Sequence, residues 1–196
     1  MKKAEFIRRF QLHQLQLSQA QEHLLSNTDS FKPASVAICL FERHERLHVL
    51  LTKRAAHLRH HAGQISFPGG KQEEFDTSAT ETAIREAKEE TGIDIHIDNI
   101  IGQLAPYRTI SGFKVIPYVA LIEEPKQFQI DTNEVAEVFD VPLRHFLERS
   151  THVAINVPHR TGIHQVHFMP YQHHNIWGAT AAMLHDLANL ICPLER

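Results

Sequence analysis

Residues Gly69 to Ile93, GGKQEEFDTSATETAIREAKEETGI, decide how this chain is read. Within them, Arg85-Glu86-Ala87-Lys88-Glu89-Glu90-Thr91-Gly92 places carboxylates at i, i+3 and i+4, so a helix carries all three on one face. Advancing about 100° per residue from Glu86 at zero, Glu90 falls near ~40° and Glu89 near ~−60°. Thr80, Ile84, Ala87 and Thr91 fall at roughly 100–160°, a small, mostly apolar stripe suited to packing on a sheet. Like charges at this spacing cost a helix about 0.2–0.5 kcal/mol per pair. A hard divalent cation, which takes oxygen ligands, would compensate. Asp76 or Thr77 is expected to begin the helix and Gly92 to end it, one residue past the C-cap. Upstream, Phe67-Pro68-Gly69-Gly70 supplies backbone able to approach a ligand closely.

Outward from this helix the pattern is that of a mixed sheet. Ala34–Phe41 is a short apolar run consistent with a buried strand, and Leu47–Thr52 is a second, joined to it through Glu42–Arg46. Lys53–Gly63 is basic and polar. Ile95–Tyr107 and Lys114–Ile122 read as strands around a turn at Ser111-Gly112. Glu134–Asp140 runs into Val141-Pro142-Leu143, and a short helix is expected over Arg144–Glu148. Val153–Ile155 and Gln165–Met169 form a further strand pair around Thr161-Gly162. Ile176–Ile191 closes the chain as a helix, with Ala179, Met183, Leu187 and Leu190 at helical spacing. Residues 3–25 read as an N-terminal helix and Ser26–Pro33 as a polar connector. The expectation is one α/β domain over residues 1–196, an α/β/α sandwich with a mixed sheet, in which residues 1–30 form a helical extension.

Bulk properties narrow the function. The chain has 196 residues, 42% hydrophobic and 22% charged, which is ordinary for a globular domain. A net charge of −3 provides no basic field for a dedicated nucleic-acid binder. No apolar run approaches the ~20 residues needed to span a bilayer, and MKKAEFIRRFQLHQ does not read as a signal peptide. The terminal PLER is not a peroxisomal address. Cys39 and Cys192 form neither a CxxC motif nor a disulfide framework, so a reducing, cytoplasmic setting is expected. There are sixteen histidines. His57, His60, His61, His173 and His174 invite a metal site, yet no pair among them has the carboxylate or cysteine partners and spacing of a zinc centre. They are read as structural or solvated, His61 excepted.

The glycine pair, Arg85, the three glutamates and the terminating Gly92 together resemble the Nudix box. That pattern is Gly, five residues, Glu, seven residues, then Arg-Glu-U-x-Glu-Glu-x-Gly-U, with U aliphatic. Gly70, Arg85, Glu86, Ala87, Glu89, Glu90, Gly92 and Ile93 fill it. Asp76 stands where the first Glu is expected and is followed by one residue too many before Arg85, so its role is left open. Further upstream, Leu50-Leu51-Thr52-Lys53-Arg54 and Leu58-Arg59-His60-His61-Ala62-Gly63-Gln64-Ile65-Ser66-Phe67-Pro68-Gly69-Gly70 resemble a second signature, that of the coenzyme A pyrophosphatase branch. That branch also tends to carry the extra residue. Ser111–Pro117, Asn133–Phe139 and Trp177–Thr180 are similar to it too. The resemblance covers roughly residues 34–191 and leaves the N-terminal helix largely outside.

The resemblance implies metal-assisted hydrolysis of a nucleoside diphosphate joined to another group, splitting coenzyme A into 3′,5′-ADP and 4′-phosphopantetheine, or an acyl derivative into acyl-phosphopantetheine. Mg²⁺ or Mn²⁺ would sit on Glu86, Glu89 and Glu90 with the carbonyl of Gly70 or Gly69. Arg85 would hold the glutamates and the loop in place. The general base is open between Glu89, Glu86 and Glu134. Lys53, Arg54, Arg59 and His61 lead into the metal loop and are candidates to meet substrate phosphates, arginine bidentately and lysine as a point charge. Ser111 and Gly112 would shape the site by turn geometry. The partner is a small molecule, with no nucleic acid and no membrane, and a homodimer through the N-terminal helix is open. Two alternatives stand beside this reading. One is a Nudix hydrolase for ADP-ribose, NADH or nucleoside triphosphates. The other is a silent ligand-binding domain, which would be expected to have lost the carboxylates that are all present here.

Overall fold

A computed structural model of the protein describes residues 1–21, 30–159 and 162–193. The strands are β1 (Lys32–Arg43), β2 (Arg46–Arg54), β3 (Ile65–Ser66), β4 (Gly69–Lys71), β5 (Ile100–Gln103), β6 (Tyr107–Arg108), β7 (Phe113–Leu121), β8 (Val135–Pro142), β9 (Val153–His159) and β10 (Gly162–Phe168). The helices are α1 (Lys3–Gln21), α2 (Ala79–Thr91), α3 (Leu143–Leu147) and α4 (Ala179–Ile191). Eight strands form one mixed sheet with the central order β3-β2-β1-β7-β5; β4, β6 and β8 pair with β1, β7 and β2. The β1–β7 pairing is parallel and the others are antiparallel. β9 and β10 form a separate hairpin.

β1 shows why the sheet is covered on both sides. Its fully buried residues alternate between two cores: Ile38 and Leu40 enter one, while Ala37, Cys39 and Phe41 enter the other. This is period-2 geometry at work on a strand with no solvent face. The first core takes Phe6 and Phe10 of α1 and Met183, Leu184, Leu187 and Ile191 of α4. The second takes Ala83 and Ala87 of α2. The expected α/β/α sandwich is what the chain forms.

Several element boundaries differ from expectation, each for a local reason. β2 continues through Lys53 and Arg54, because both pair with β8 and Lys53 also pairs with β3. β1 and β2 meet at His44-Glu45, whose φ values of 49° and 59° give a tight turn of the kind that matches strand twist. The single strand expected over Ile95–Tyr107 is broken into a short 3₁₀ turn, β5 and β6. Pro106, which cannot donate to a ladder, lies in the gap between the last two. α4 starts at Ala179 instead of Ile176, after Gly178 at φ 67°. β9 and β10 are longer than expected. Residues 22–29, which span the end of the expected N-terminal helix and part of the connector, lie outside the described residues, as do residues 160–161 at the expected Thr161-Gly162 turn and residues 194–196.

α1 is part of the first core. Phe6 and Phe10 are fully buried, and Arg9 donates to the Ile191 carbonyl at 2.9 Å. Gln14 donates to the Gln103 carbonyl at 2.7 Å, tying α1 to β5.

Candidate active site

α2 begins later than its sequence suggests. Ser78 is the N-cap, accepting from the Glu81 N–H at 3.2 Å, and Glu81 reaches back to the Thr77 N–H at 2.8 Å. Gly92 closes the helix at φ 75°, donating to the Lys88 carbonyl. Asp76 is therefore in the loop, and this frees its carboxylate for another task. Its side chain is only 3% exposed and accepts from Arg85 Nε and Nη2, each at 2.9 Å, in a fork-to-fork pair. The Glu73 N–H at 2.9 Å and the Thr82 hydroxyl at 3.0 Å complete it. The Arg85 guanidinium, with these donors, holds the Asp76 carboxyl far below the usual carboxylate range.

Arg85 is the hub. Beyond Asp76, its Nη1 donates to Glu86 and Glu89, each at 2.8 Å, and its Nη2 donates to the Lys71 carbonyl at 3.3 Å. One side chain thus links α2, the loop that precedes it and the end of β4.

The three glutamates share a face but not an environment. The buried side of α2 comprises Thr82, Ala83, Ala87, Glu90 and Thr91, so it is rotated toward Glu90 from the stripe that periodicity indicated. Glu90 is consequently 3% exposed and Glu89 58% exposed. Burial, with the charges of Glu86 and Glu134 and against the pull of Arg54, pushes the Glu90 carboxyl up to about 8. Burial also raises Glu86, opposed by Arg85. Glu90 Oε2 is buried with no hydrogen-bond partner, and Arg54 Nη1 stands 3.8 Å from Glu90 Oε1. A Cβ at Gly70 would meet the Glu86 carboxylate, so a side chain there would push that carboxylate from its present position.

This donor set fits a hard divalent cation. It is all oxygen, it crowds negative charge and it includes a buried carboxylate oxygen left unpartnered. Glu86 and Glu89 each turn an oxygen to Arg85, and the three α2 carboxylates do not converge as tightly as a second group does. Among the described residues, the three potential ligands whose donor atoms all lie within 4.8 Å of one another are Glu137, His173 and His174. In the sequence this histidine pair stands without a carboxylate partner, because that carboxylate comes from β8, remote along the chain. Two adjacent histidines were the only signal.

The remaining sequence-chosen residues scatter around this centre. Arg54 faces Glu90, and the charge of Glu134 is felt by Glu86 and Glu90. Lys53 lines a cavity of about 380 Å³ together with Gln64, His173, His174 and Trp177. Arg59 and His61 are exposed; His61, at φ 59°, pairs through Nδ1 with Gln64 Oε1 at 2.7 Å. Ser111 and Gly112 sit in the β6–β7 turn, where the Ser111 hydroxyl meets that of Thr109 at 3.0 Å. No hydrogen bond or ion pair among the described residues joins that turn to the glutamates of α2.

A family model described as the NUDIX domain matches residues 31–173, and the chain belongs to the Nudix family. It is a pyrophosphohydrolase of the NudL-like kind. It is 39% identical over 189 residues to an uncharacterized Nudix hydrolase NudL of Yersinia pestis, and equally so to that of Yersinia pseudotuberculosis. Each match covers 96% of this chain and 94% of the relative, and so takes in most of α1, which the sequence resemblance had left out. Among solved structures, a MutT/nudix family protein from Enterococcus faecalis shares the fold, with a TM-score of 0.58 at 20% identity over 95% of this chain and 73% of that one. The NUDIX domain of Shewanella oneidensis NrtR, complexed with ADP ribose, aligns with a TM-score of 0.50 at 25% identity, over 65% and 85% of the two chains.

Proposed function

We propose that this Nudix pyrophosphohydrolase cleaves the diphosphate of coenzyme A or its acyl derivatives, releasing 3′,5′-ADP and the phosphopantetheine moiety. The observation that carries the hydrolytic chemistry is the buried, unpartnered oxygen of Glu90 beside Glu86. The preference for coenzyme A rests on the LLTKR and LRHHAGQISFPGG segments and on Arg54, which faces Glu90.

Glu86, Glu89 and Glu90, with the Gly70 or Gly69 carbonyl, would hold Mg²⁺ or Mn²⁺. When bound, such an ion polarises the diphosphate and lowers the pKa of a water. Arg85 positions Glu86 and Glu89 and leaves substrate to other residues. Glu89, the most exposed of the three, is the carboxylate best able to take a proton from the attacking water; Glu86 and Glu134 are the other candidates. Arg54, which faces Glu90, neutralises substrate phosphate; Lys53, on the cavity side of the β2 end, and Arg59 and His61 in the loop are further candidates for more distant phosphates of the substrate. Ser111 and Gly112 shape the far rim. Two free cysteines suit a reducing, cytoplasmic setting.

A second reading, hydrolysis of ADP-ribose, is favoured by the ADP ribose in the complex of the NrtR domain. Turnover of coenzyme A, acyl-coenzyme A, ADP-ribose, NADH and nucleoside triphosphates with Mg²⁺ and with Mn²⁺ separates the two. Coenzyme A or its acyl form is expected to be cut fastest; faster cleavage of ADP-ribose or a triphosphate rejects the proposal. Glu90→Gln is expected to abolish turnover while the protein stays folded. Near-normal activity in that variant would remove Glu90 from the metal site.

A further inference from the structure

We propose that Glu137, His173 and His174 form a second cation site, one that takes a borderline divalent ion of the Zn²⁺ class and is separate from the carboxylates of α2. The donor atoms of the three residues lie within 4.8 Å of one another. His174 Nε2 stands 3.2 Å from Glu137 Oε1. Two ligands about 2.0–2.1 Å from one tetrahedral ion lie ~3.3 Å apart, so this pair already has the spacing of neighbouring ligands. The chemistry differs from that of α2. Imidazole suits Zn²⁺, Co²⁺ or Ni²⁺, whereas an all-carboxylate set suits Mg²⁺ or Mn²⁺.

The backbone holds the two imidazoles in place. Residues 171–174 form a tight turn in which Tyr171 and His174 exchange both backbone hydrogen bonds, at 2.9 and 2.8 Å. Gln172, at φ 51°, makes the corner. The His173 and His174 rings consequently stand 4.0 Å apart. The His174 ring also lies flat on Phe139, with centroids 3.7 Å apart and planes within 2°. Phe139 and Glu137 are two residues apart on β8 and so share a face. Phe139 packs on the first core, so this site lies on the sheet face opposite α2.

His174 is 6% exposed, and its Nδ1 is buried without a partner. With Nε2 turned to Glu137, Nδ1 is the second ring nitrogen, and no acceptor orients it. The ligating histidines of strong zinc centres donate their second N–H to an acceptor, and removal of that acceptor typically costs 10–100-fold in affinity. The site is therefore weaker than a structural zinc centre. It also has an open side, because His173 and His174 line the cavity shared with Lys53, Gln64, Asn175 and Trp177. An ion with three protein ligands would keep a position there for water or another group.

The test uses metal-stripped full-length protein saturated with Mg²⁺ and then titrated with Co²⁺. The intense visible absorption of nitrogen-ligated, low-coordinate Co²⁺ is expected, together with quenching of Trp177, the only tryptophan in the chain. His173→Asn and Glu137→Gln should each abolish that band while the circular dichroism spectrum and the Mg²⁺-supported activity stay unchanged. Glu89→Gln should retain it. Co²⁺ that merely displaced Mg²⁺ from α2 would give weak octahedral absorption, insensitive to His173. Absence of the intense band in the unaltered protein, or its persistence in both site variants, overturns the proposal. Neither outcome depends on which diphosphate the enzyme cleaves.

Discussion

At the scale of single residues, Asp76 carries the clearest lesson. It departs from the family pattern, yet it is the buried partner that grips Arg85 from outside the helix, while Arg85 grips two of the glutamates. Removing one member of a buried pair leaves the other charge uncompensated, at about 3–5 kcal/mol. Asp76→Asn should therefore lower the urea unfolding free energy by ~3 kcal/mol and reduce activity with it. A loss below ~1 kcal/mol would mean that Glu86 and Glu89 suffice to hold the guanidinium. His185 gives the pH dependence. Burial, with His167, His152 and Arg149 nearby, lowers its pKa to about 4 from 6.5. Its Nδ1 stands 3.1 Å from His152 Nδ1, and His152 Nε2 donates to the Phe146 carbonyl at 2.8 Å. Between the two pKa values the unfolded chain binds more protons, so stability contributed by neutral His185 is complete above about 6.5 and is lost as pH falls toward 4. Thermal melting should track this, and His185→Gln should flatten the melting temperature across that window. An unchanged slope would exclude His185 as its source.

At the scale of elements, α2 is set by its ends. The Ser78 side chain satisfies one orphan N–H, so Ser78→Ala should cost about 1 kcal/mol. Gly92 should prove less replaceable. Its φ of 75° is left-handed, and a Cβ there would sit 2.7 Å from Gln129 Cβ. Backbone strain alone costs roughly 1–2 kcal/mol, before the clash is counted. Chemical denaturation of the two variants should rank Gly92→Ala well below Ser78→Ala; equal losses would place the cost of Gly92 elsewhere. The terminal glycine is readable in the sequence; the capping serine is not, since Asp76 or Thr77 reads as the start there. The start of the helix was misplaced by two to three residues because Asp76 looks like an N-terminal residue, and only its contact with Arg85, across the loop, shows otherwise. The buried face was misplaced for a related reason. Periodicity gives the width of an apolar stripe, but the sheet beneath decides which edge of it is covered.

At the scale of the whole molecule, α1 is the test of what belongs to the domain. Phe6 and Phe10 stack with ring centroids 5.7 Å apart and are fully buried in the first core. Phe10→Ala should cost about 3–5 kcal/mol, measured by denaturant midpoint. A change under ~1 kcal/mol would show α1 to be a detachable extension. By itself, the sequence determined the alternation of sheet and helix, the carboxylate helix with its stop, and the family. Those features rest on local periodicity and on residues close together along the chain. Tertiary structure alone decided the partner of Asp76, the burial of Glu90, the incorporation of α1 and the meeting of Glu137 with His173 and His174. Each depends on which surfaces the sheet brings together. Burial and long-range pairing are properties of that packing, and no single segment of the chain encodes them.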